Sequence, residues 1–524
     1  MRYRTLQVIG ALVWGSLVAV VVLPVEAQSG PSSSAADRER AWAMAERVDQ
    51  ALRSRWQAAG IDVAPVADDS EFLRRVYLDL TGSLPPVTVT RRFLADPRPG
   101  KRRELVDKLV HSPRFAAHMA AVWRRILVPR SLEPDQVPNA VGFERWLEQQ
   151  FAARARFDHI VADLLTAEGD GTRGPALYYA SLEAKPEKLA ASTAANFLGL
   201  QIQCAECHDH PFDHWKQRDF WGYAAFFAQL QRPADNLPGN FVVADTDSGE
   251  VYLPGTDEVV PPRFLSGELA PNDGYGTRRA RLAIWMASRD NPYLPRAAVN
   301  WAWFLLFNRG LVHPADDHGA HNPPSHPEVL DELTEFFIAS GFDWSLLIQT
   351  LASTNAYQLS GKGPTDTVPP EAFARHLPRT LDAETLFDII LQVAGQNASP
   401  SASGINARIL DANRIQFVLR MQAANSREPT RYERGVPQAL LLMNGPLIDQ
   451  LTSPQSSRLL QAVGAPFFSD EQRLEAVFLA TLCRFPTETE RRMCMNYIDQ
   501  AADRSSALGD VLWGILNSAE FCLN

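Results

Sequence analysis

Two of the five cysteines and three of the eleven histidines of this 524-residue chain fall within residues 203–214, QCAECHDHPFDH. Cys204 and Cys207 are three residues apart, so both thiols face one side of a helical turn. Two thiols at this spacing can form thioether bonds to the vinyl groups of a haem, and His208, which follows, can bind the iron. The pattern predicts a covalent haem c with His208 as the proximal ligand.

Zinc is the main alternative cofactor for the same residues. Thiolates and neutral imidazoles are ligands that zinc prefers, and His210 and His214 would then add to Cys204, Cys207 and His208. A redox-active pair of thiols is a third interpretation. No β-α-β pattern typical of disulfide oxidoreductases surrounds the cysteines, so we favour haem over zinc and zinc over the dithiol.

A second polar cluster covers residues 313–326, HPADDHGAHNPPSH, with four histidines and two aspartates. Such residues can build a metal site or an acid/base site. The simpler interpretation is a proline-rich loop in which Ser325 caps the helix that starts at Pro327 and His326 packs under that helix. If the segment is functional, we expect it to supply a second iron ligand or a substrate contact, and His326 is its candidate ligand.

The N-terminus has the features of a secretory signal peptide. Arg2 and Arg4 precede an apolar run over residues 6–23, and Val25 and Ala27 fit a cleavage site after Ala27. We therefore predict a signal peptide over residues 1–27 and an exported protein, periplasmic or at the cell surface. No later stretch is apolar for long enough to cross a bilayer, so the mature chain is expected to lack a transmembrane span.

Composition excludes two classes of protein. With a formal net charge of -10 and no basic patch, the chain has no electrostatic footprint for nucleic acid. Five cysteines are too few for a disulfide scaffold of this length, and no pairing is assigned to Cys483, Cys494 and Cys522. A hydrophobic fraction of 46% predicts a well-filled globular core.

Periodicity predicts a mainly α-helical chain with a small β-hairpin. Residues 241–243 and 250–253 flank the turn Asp247-Ser248-Gly249 and are predicted to pair with each other. The cysteine cluster lies between apolar helices predicted at 186–202 and 219–230, a position that favours a buried cofactor. The predicted organisation is a disordered lead-in over 28–38, a helical domain over 39–230, a junction over 231–275 and a second helical domain over 276–524. The other predicted helices cover residues 38–58, 69–80, 87–95, 101–109, 113–126, 280–288, 296–308, 327–339, 343–353, 383–393, 437–451, 470–482, 487–502 and 505–517.

Several long motifs resemble a known family. Residues 197–228, FLGLQIQCAECHDHPFDHWKQRDFWGYAAFFA, and residues 72–86, FLRRVYLDLTGSLPP, are similar to the planctomycete cytochrome-c-related domain family. Residues 291–333, 352–360 and 436–446 resemble the partner domain of unknown function usually fused to it. The resemblance covers about residues 40–524. The sequence departs from the family's motif at Trp301, where arginine is expected.

The resemblance implies a secreted protein with a c-type haem motif and leaves the activity open. We expect an exported haem c protein that transfers electrons to or from an unidentified redox partner. One alternative is an extracytoplasmic enzyme that uses the haem or the cluster at 313–326. The other is a surface or periplasmic interaction protein in which the CxxCH cluster holds structural zinc.

Overall fold

The computed structural model describes residues 34–128, 137–231, 242–271, 276–362, 368–395, 405–422 and 436–524. Within these ranges the fold is mainly α-helical, as predicted. The predicted signal peptide lies outside the described residues. The α-helices are α1 (Ala35–Ala59), α2 (Asp69–Thr81), α3 (Val87–Ala95), α4 (Lys101–Val110), α5 (Pro113–Leu127), α6 (Val137–Ala152), α7 (Phe157–Leu165), α8 (Leu177–Ser181), α9 (Pro186–Thr193), α10 (Gln217–Ala224), α11 (Arg278–Met286), α12 (Leu294–Phe307), α13 (Pro327–Ala339), α14 (Trp344–Ala352), α15 (Ala383–Val393), α16 (Ile405–Gln422), α17 (Val436–Asn444), α18 (Pro446–Thr452), α19 (Arg458–Val463), α20 (Asp470–Thr481), α21 (Glu488–Gln500), α22 (Arg504–Leu516) and α23 (Ala519–Cys522).

Helix boundaries follow from local chemistry that the sequence shows. Helix α21 begins with a capping box, in which the Thr487 side chain accepts from the backbone of Glu490 and the Glu490 side chain accepts from the backbone of Thr487. The prediction of a disordered segment over residues 28–38 is wrong for its last residues, because Ser34 caps α1 and the helix begins at Ala35. The helix predicted at 437–451 is broken, since Pro446 has no N–H to continue α17.

The predicted hairpin is also wrong in its pairing. Among the described residues, four two-residue strands form two antiparallel pairs, β1 (Gly169–Asp170) with β2 (Val242–Val243) and β3 (Val251–Tyr252) with β4 (Val259–Val260). Thr246 donates its N–H to the Gln229 carbonyl at 2.7 Å, so the turn segment is bonded to the end of the preceding helical region instead of closing a hairpin. Phe241 lies outside the described residues.

The main hydrophobic core crosses the predicted junction at 231–275. It contains buried residues from Met44 to Ala374. At its centre the Trp123 ring lies 5.0 Å from Phe157, 5.4 Å from Trp344 and 6.4 Å from Trp301, measured between ring centroids. Residues from both predicted domains therefore share one core, and packing does not divide there.

A second core lies in the C-terminal part of the chain. It is formed by buried residues from Leu381 to Cys522, joined by Leu78 and Leu84 from α2 and the loop after it. The buried Arg74 of α2 connects the two cores, because its guanidinium donates to the carbonyls of Thr481 at 2.9 Å and Phe521 at 2.6 Å. No helix among the described residues is long and apolar enough to cross a membrane.

Candidate functional site

The backbone turns sharply just before the cysteine cluster. Helix α9 continues as a π-helical turn, Ala194–Leu198, which ends at Gly199 in the left-handed region with φ of 68°. The helix predicted to run to about Ile202 therefore ends earlier, because glycine accepts this conformation without steric cost. Trp301, the departure from the family pattern, donates its indole N–H to the Asn196 carbonyl at 3.1 Å and so supports this turn from α12.

The cysteines lie on the surface, not in the buried position that the flanking helices suggested. Cys204 belongs to the 3₁₀ turn Gln203–Glu206 and Cys207 follows it; both are exposed and free. Ala205, between them, has no exposed area, and Ile202 is also buried. These two apolar side chains take the inward positions of the turn, so the thiols point outward.

His208 is exposed next to the thiols, and its tautomer follows from its one local contact. Its Nδ1 lies 2.7 Å from the backbone oxygen of Asp209. A carbonyl oxygen can only accept, so in the neutral ring Nδ1 carries the proton and Nε2 has the lone pair. The imidazole is therefore oriented with a metal-binding nitrogen free, the arrangement that an outer hydrogen bond produces in metal-bound histidines.

Helix α10 holds the peptide groups of the CxxCH turn. The Gln217 amide donates to the carbonyls of Glu206 at 3.1 Å and Cys207 at 2.9 Å. The Trp221 indole also donates to the Glu206 carbonyl, at 3.0 Å. These carbonyls lie at the end of the 3₁₀ turn, so α10 fixes the backbone there while the cysteine side chains stay exposed.

His210 and His214 belong to a short closed loop beside the turn. The backbone N–H of His210 donates to the Trp215 carbonyl at 2.8 Å, which closes the loop. His210 is half-buried, and its Nδ1 accepts from the Phe212 N–H at 3.3 Å. His214 is exposed and its ring packs on Trp215 with centroids 4.1 Å apart.

Asp213 connects this loop to the second polar cluster, more than a hundred residues later. Its carboxylate lies 2.6 Å from Nδ1 of His214 and accepts the N–H of Ala320 at 3.3 Å. Burial acts to raise the pKa of Asp213, but hydrogen bonds from His214 and Ala320 outweigh it and hold that pKa below its ordinary value. His321, from the same cluster, stacks on His210 at 6.5 Å between centroids.

The structure thus brings the two polar clusters together, as the functional interpretation of residues 313–326 requires. The candidate ligand His326, however, is not part of this contact. His326 lies at the start of α13, is only 4% exposed and packs its ring on Phe373. Burial in this position lowers the pKa of His326 to about 4. The predicted cap is wrong as well: Ser325 bonds the Leu311 carbonyl, and His326 occupies the N-cap position.

The residue in this segment that the sequence did not single out is His318. Its backbone N–H donates to the Gly199 carbonyl at 2.7 Å, and its ring lies against Gly199. Nothing in the spacing of the four histidines distinguishes His318 from the others. Its contact with the turn before Cys204 does so.

The described side chains do not form a preformed zinc site. Among them, no three His, Cys, Asp or Glu residues are grouped as a metal site. Cys204, Cys207 and His208 are adjacent in the chain, whereas His210 and His214 are engaged in the loop contacts described above. Zinc binding at this cluster stays a prediction.

Comparison with known protein families divides the chain into two matched segments. Residues 47–232 match PSCyt2, described as a protein of unknown function (DUF1549), and residues 278–436 match PSD1, described as a protein of unknown function (DUF1553). The expected tandem of two domains of unknown function is confirmed, whereas a relation to cytochromes stays a prediction. No curated protein matches the chain, and no solved structure does.

Proposed function

We propose that the chain is an exported protein that carries a covalent haem c on Cys204, Cys207 and His208 and exchanges electrons with a redox partner. The observation that carries the proposal is the state of these three side chains. Both thiols are free and exposed, and the residue after Cys207 presents an exposed imidazole whose Nδ1 is held by the backbone oxygen of Asp209. This is the donor set that attachment of a haem c needs.

The two cysteines would hold the group by addition of each thiol across a vinyl group. The sulfur forms a bond to one vinyl carbon and the thiol proton ends on the other carbon, so no external oxidant or reductant is consumed. Exposure of both thiols leaves them accessible to a folded ligation enzyme. The hydrogen bonds from Gln217 and Trp221 hold the intervening backbone, so the spacing of the thiols is set before attachment.

His208 would bind the iron through Nε2, while Asp209 keeps the proton on Nδ1. When bound, haem iron supplies one-electron redox chemistry. The residues that would hold the haem are exposed, which leaves this part of the chain accessible to a second protein for electron exchange. Phe212, which belongs to the same cluster and is 76% exposed, would add an apolar contact for such a partner.

The proposal is tested by exporting the full chain in a strain that attaches haem to other c-type cytochromes. We expect red protein that keeps its colour after acid–acetone extraction, because thioether bonds survive conditions that release non-covalent haem. The double variant Cys204→Ala/Cys207→Ala should be colourless. Cys494→Ala, at a cysteine remote from the cluster in sequence, should match the wild type and is the control.

His208→Ala separates tethering from iron binding: covalent colour should remain while the spectrum and potential change. A colourless wild-type protein that contains about one equivalent of zinc, lost on chelation with loss of stability, would support the zinc alternative instead. In that case His210→Ala and His214→Ala should weaken metal binding, whereas neither is needed for covalent haem.

A further inference from the structure

The first residue of helix α10 is bonded to the chain on both sides of His208. Gln217 donates its side-chain amide to the carbonyls of Glu206 at 3.1 Å and Cys207 at 2.9 Å. The backbone N–H of Gln217 donates to Oδ1 of Asp209 at 3.1 Å. The residues directly before and directly after His208 are therefore fixed to the same turn of α10.

The Asp209 carboxylate is held by two donors at the start of this helix. Oδ1 accepts the Gln217 N–H, and Oδ2 lies 3.1 Å from Nζ of Lys216. The ion pair with Lys216 is exposed and contributes little through charge alone. The contact with Gln217 satisfies a backbone N–H that has no partner within the helix, and it places a negative charge at the helix N-terminus. The hydrogen bond from Gln217 and the contact with Lys216 hold the pKa of Asp209 below its ordinary value, so this carboxylate is ionised at neutral pH.

The backbone of the same residue determines the tautomer of His208. The backbone oxygen of Asp209 lies 2.7 Å from Nδ1 of His208. The hydrogen bond that one ring nitrogen makes decides which nitrogen carries the proton in the neutral ring. Asp209 thus joins the His208 ring to α10, through its backbone oxygen at one end and its carboxylate at the other.

We propose that Asp209 is a positioning residue for His208. Its carboxylate, bonded to the start of α10, holds its backbone oxygen in place, and this oxygen keeps the proton of the neutral His208 ring on Nδ1. Nε2 is then the nitrogen that is left for a metal. The consequence at the iron rests on the proposed function, whereas the tautomer is a property of the haem-free chain.

This contact also tunes the proposed cofactor. A hydrogen bond from Nδ1 makes the imidazole a more basic ligand. A more basic ligand stabilises the oxidised iron more than the reduced iron, so it lowers the reduction potential. Loss of the Asp209 side chain should loosen the backbone oxygen, weaken this hydrogen bond and raise the potential.

The first test measures the tautomer of His208 in the reduced, haem-free full chain, by ¹⁵N NMR of the ring under alkaline conditions where neutral imidazole is observed. We expect the proton on Nδ1 in the wild type and a shift of the proton towards Nε2 in Asp209→Ala. The matched control is Asp503→Ala, because Asp503 accepts from the backbone of Ser505 and Ser506 at the start of α22 and has no contact with His208. It should leave the His208 tautomer unchanged.

The conservative variant Asp209→Asn separates positioning from a folding defect. Its side-chain oxygen can still accept the Gln217 N–H, so it should restore the proton to Nδ1 although the charge that faces Lys216 is lost. A His208 ring that keeps its proton on Nδ1 in Asp209→Ala, to the same extent as in the wild type, would overturn the proposal.

The second test compares the reduction potentials of the haem-loaded proteins. Asp209→Ala should have a higher potential than the wild type, whereas Asp503→Ala should match the wild type. If the wild type contains no covalent haem, the proposed function fails, and the tautomer measurement still decides the role of Asp209. If covalent haem is present but Asp209→Ala has the potential of the wild type, only the role assigned to Asp209 fails.

Discussion

His318 and Gly199 lie in direct contact where the second polar cluster meets the turn before Cys204. The His318 N–H donates to the Gly199 carbonyl at 2.7 Å, and a Cβ atom at Gly199 would lie 2.7 Å from Cδ2 of His318. Gly199 also has a positive φ of 68°. Two independent constraints, backbone conformation and space, therefore require glycine at this position.

Gly199→Ala should destabilise the protein by about 3 kcal/mol, since a left-handed backbone costs an alanine about 1 kcal/mol and a forced contact about 2 more. Gly60→Ala is the matched control, because Gly60 ends α1 with φ of 62° and a Cβ atom there would meet nothing within 4 Å. Gly60→Ala should lower the free energy of unfolding by only about 1 kcal/mol. Urea unfolding of both variants measures the difference; equal losses would show that His318 does not press on Gly199.

Acid stability should depend on Glu384, which lies among three arginines between α5, α15 and α16. Burial acts to raise its pKa, but Arg124, Arg414 and Arg125 lower it to about 2, below its ordinary 4.5. Because the folded pKa is the lower one, the contribution of Glu384 to stability is complete above about 4.5 and is lost as the pH falls towards 2.

Glu384→Gln should therefore reduce the free energy of unfolding by about 3 kcal/mol at neutral pH, since it leaves buried arginine charge uncompensated. The loss should shrink as the pH falls below 4.5 towards 2. The control is Glu258→Gln, which removes a surface ion pair with Arg218 and should cost less than about 1 kcal/mol. A loss for Glu384→Gln that is independent of pH would contradict the ion network.

The five cysteines should react with a thiol reagent in separate groups when the protein is reduced and free of haem. Cys204 and Cys207 are exposed and should react at once, and the half-buried Cys494 more slowly. Cys483 and Cys522 are fully buried, and burial raises the pKa of Cys483 to about 11, so both should react only on unfolding. Timed labelling with mass spectrometry identifies each site; rapid labelling of Cys483 in native protein would contradict the described core.

The two halves should not fold when they are separated at the predicted junction. Trp123 and Phe157 from the first half pack on Trp301 and Trp344 from the second, so each fragment would expose its share of one core. Fragment 28–275 should lack near-ultraviolet circular dichroism and cooperative thermal unfolding, and fragment 276–524 should keep at most the signals of the second core. Native-like signals from both fragments would restore the prediction of two autonomous domains.

Local chemistry allowed much of the fold to be predicted. Helices such as α3, α13 and α15 have the predicted bounds, because apolar periodicity and capping residues act within a few positions of each other. The strand pairing could not be read in the same way. Whether residues 242–243 pair with 251–252 or with Gly169–Asp170 depends on a contact with a segment more than seventy residues away.

The sequence by itself determined that Cys204, Cys207 and His208 lie next to one another in space, because their spacing along the chain is a local property. Only the tertiary structure decided that this turn lies at the surface, since Ala205 and Ile202 fill the interior positions. It also decided which distant histidine meets the turn: His318 lies against Gly199, while His326 packs under α13. Spacing along a chain cannot distinguish these outcomes, because burial depends on how helices far apart in sequence pack against one another.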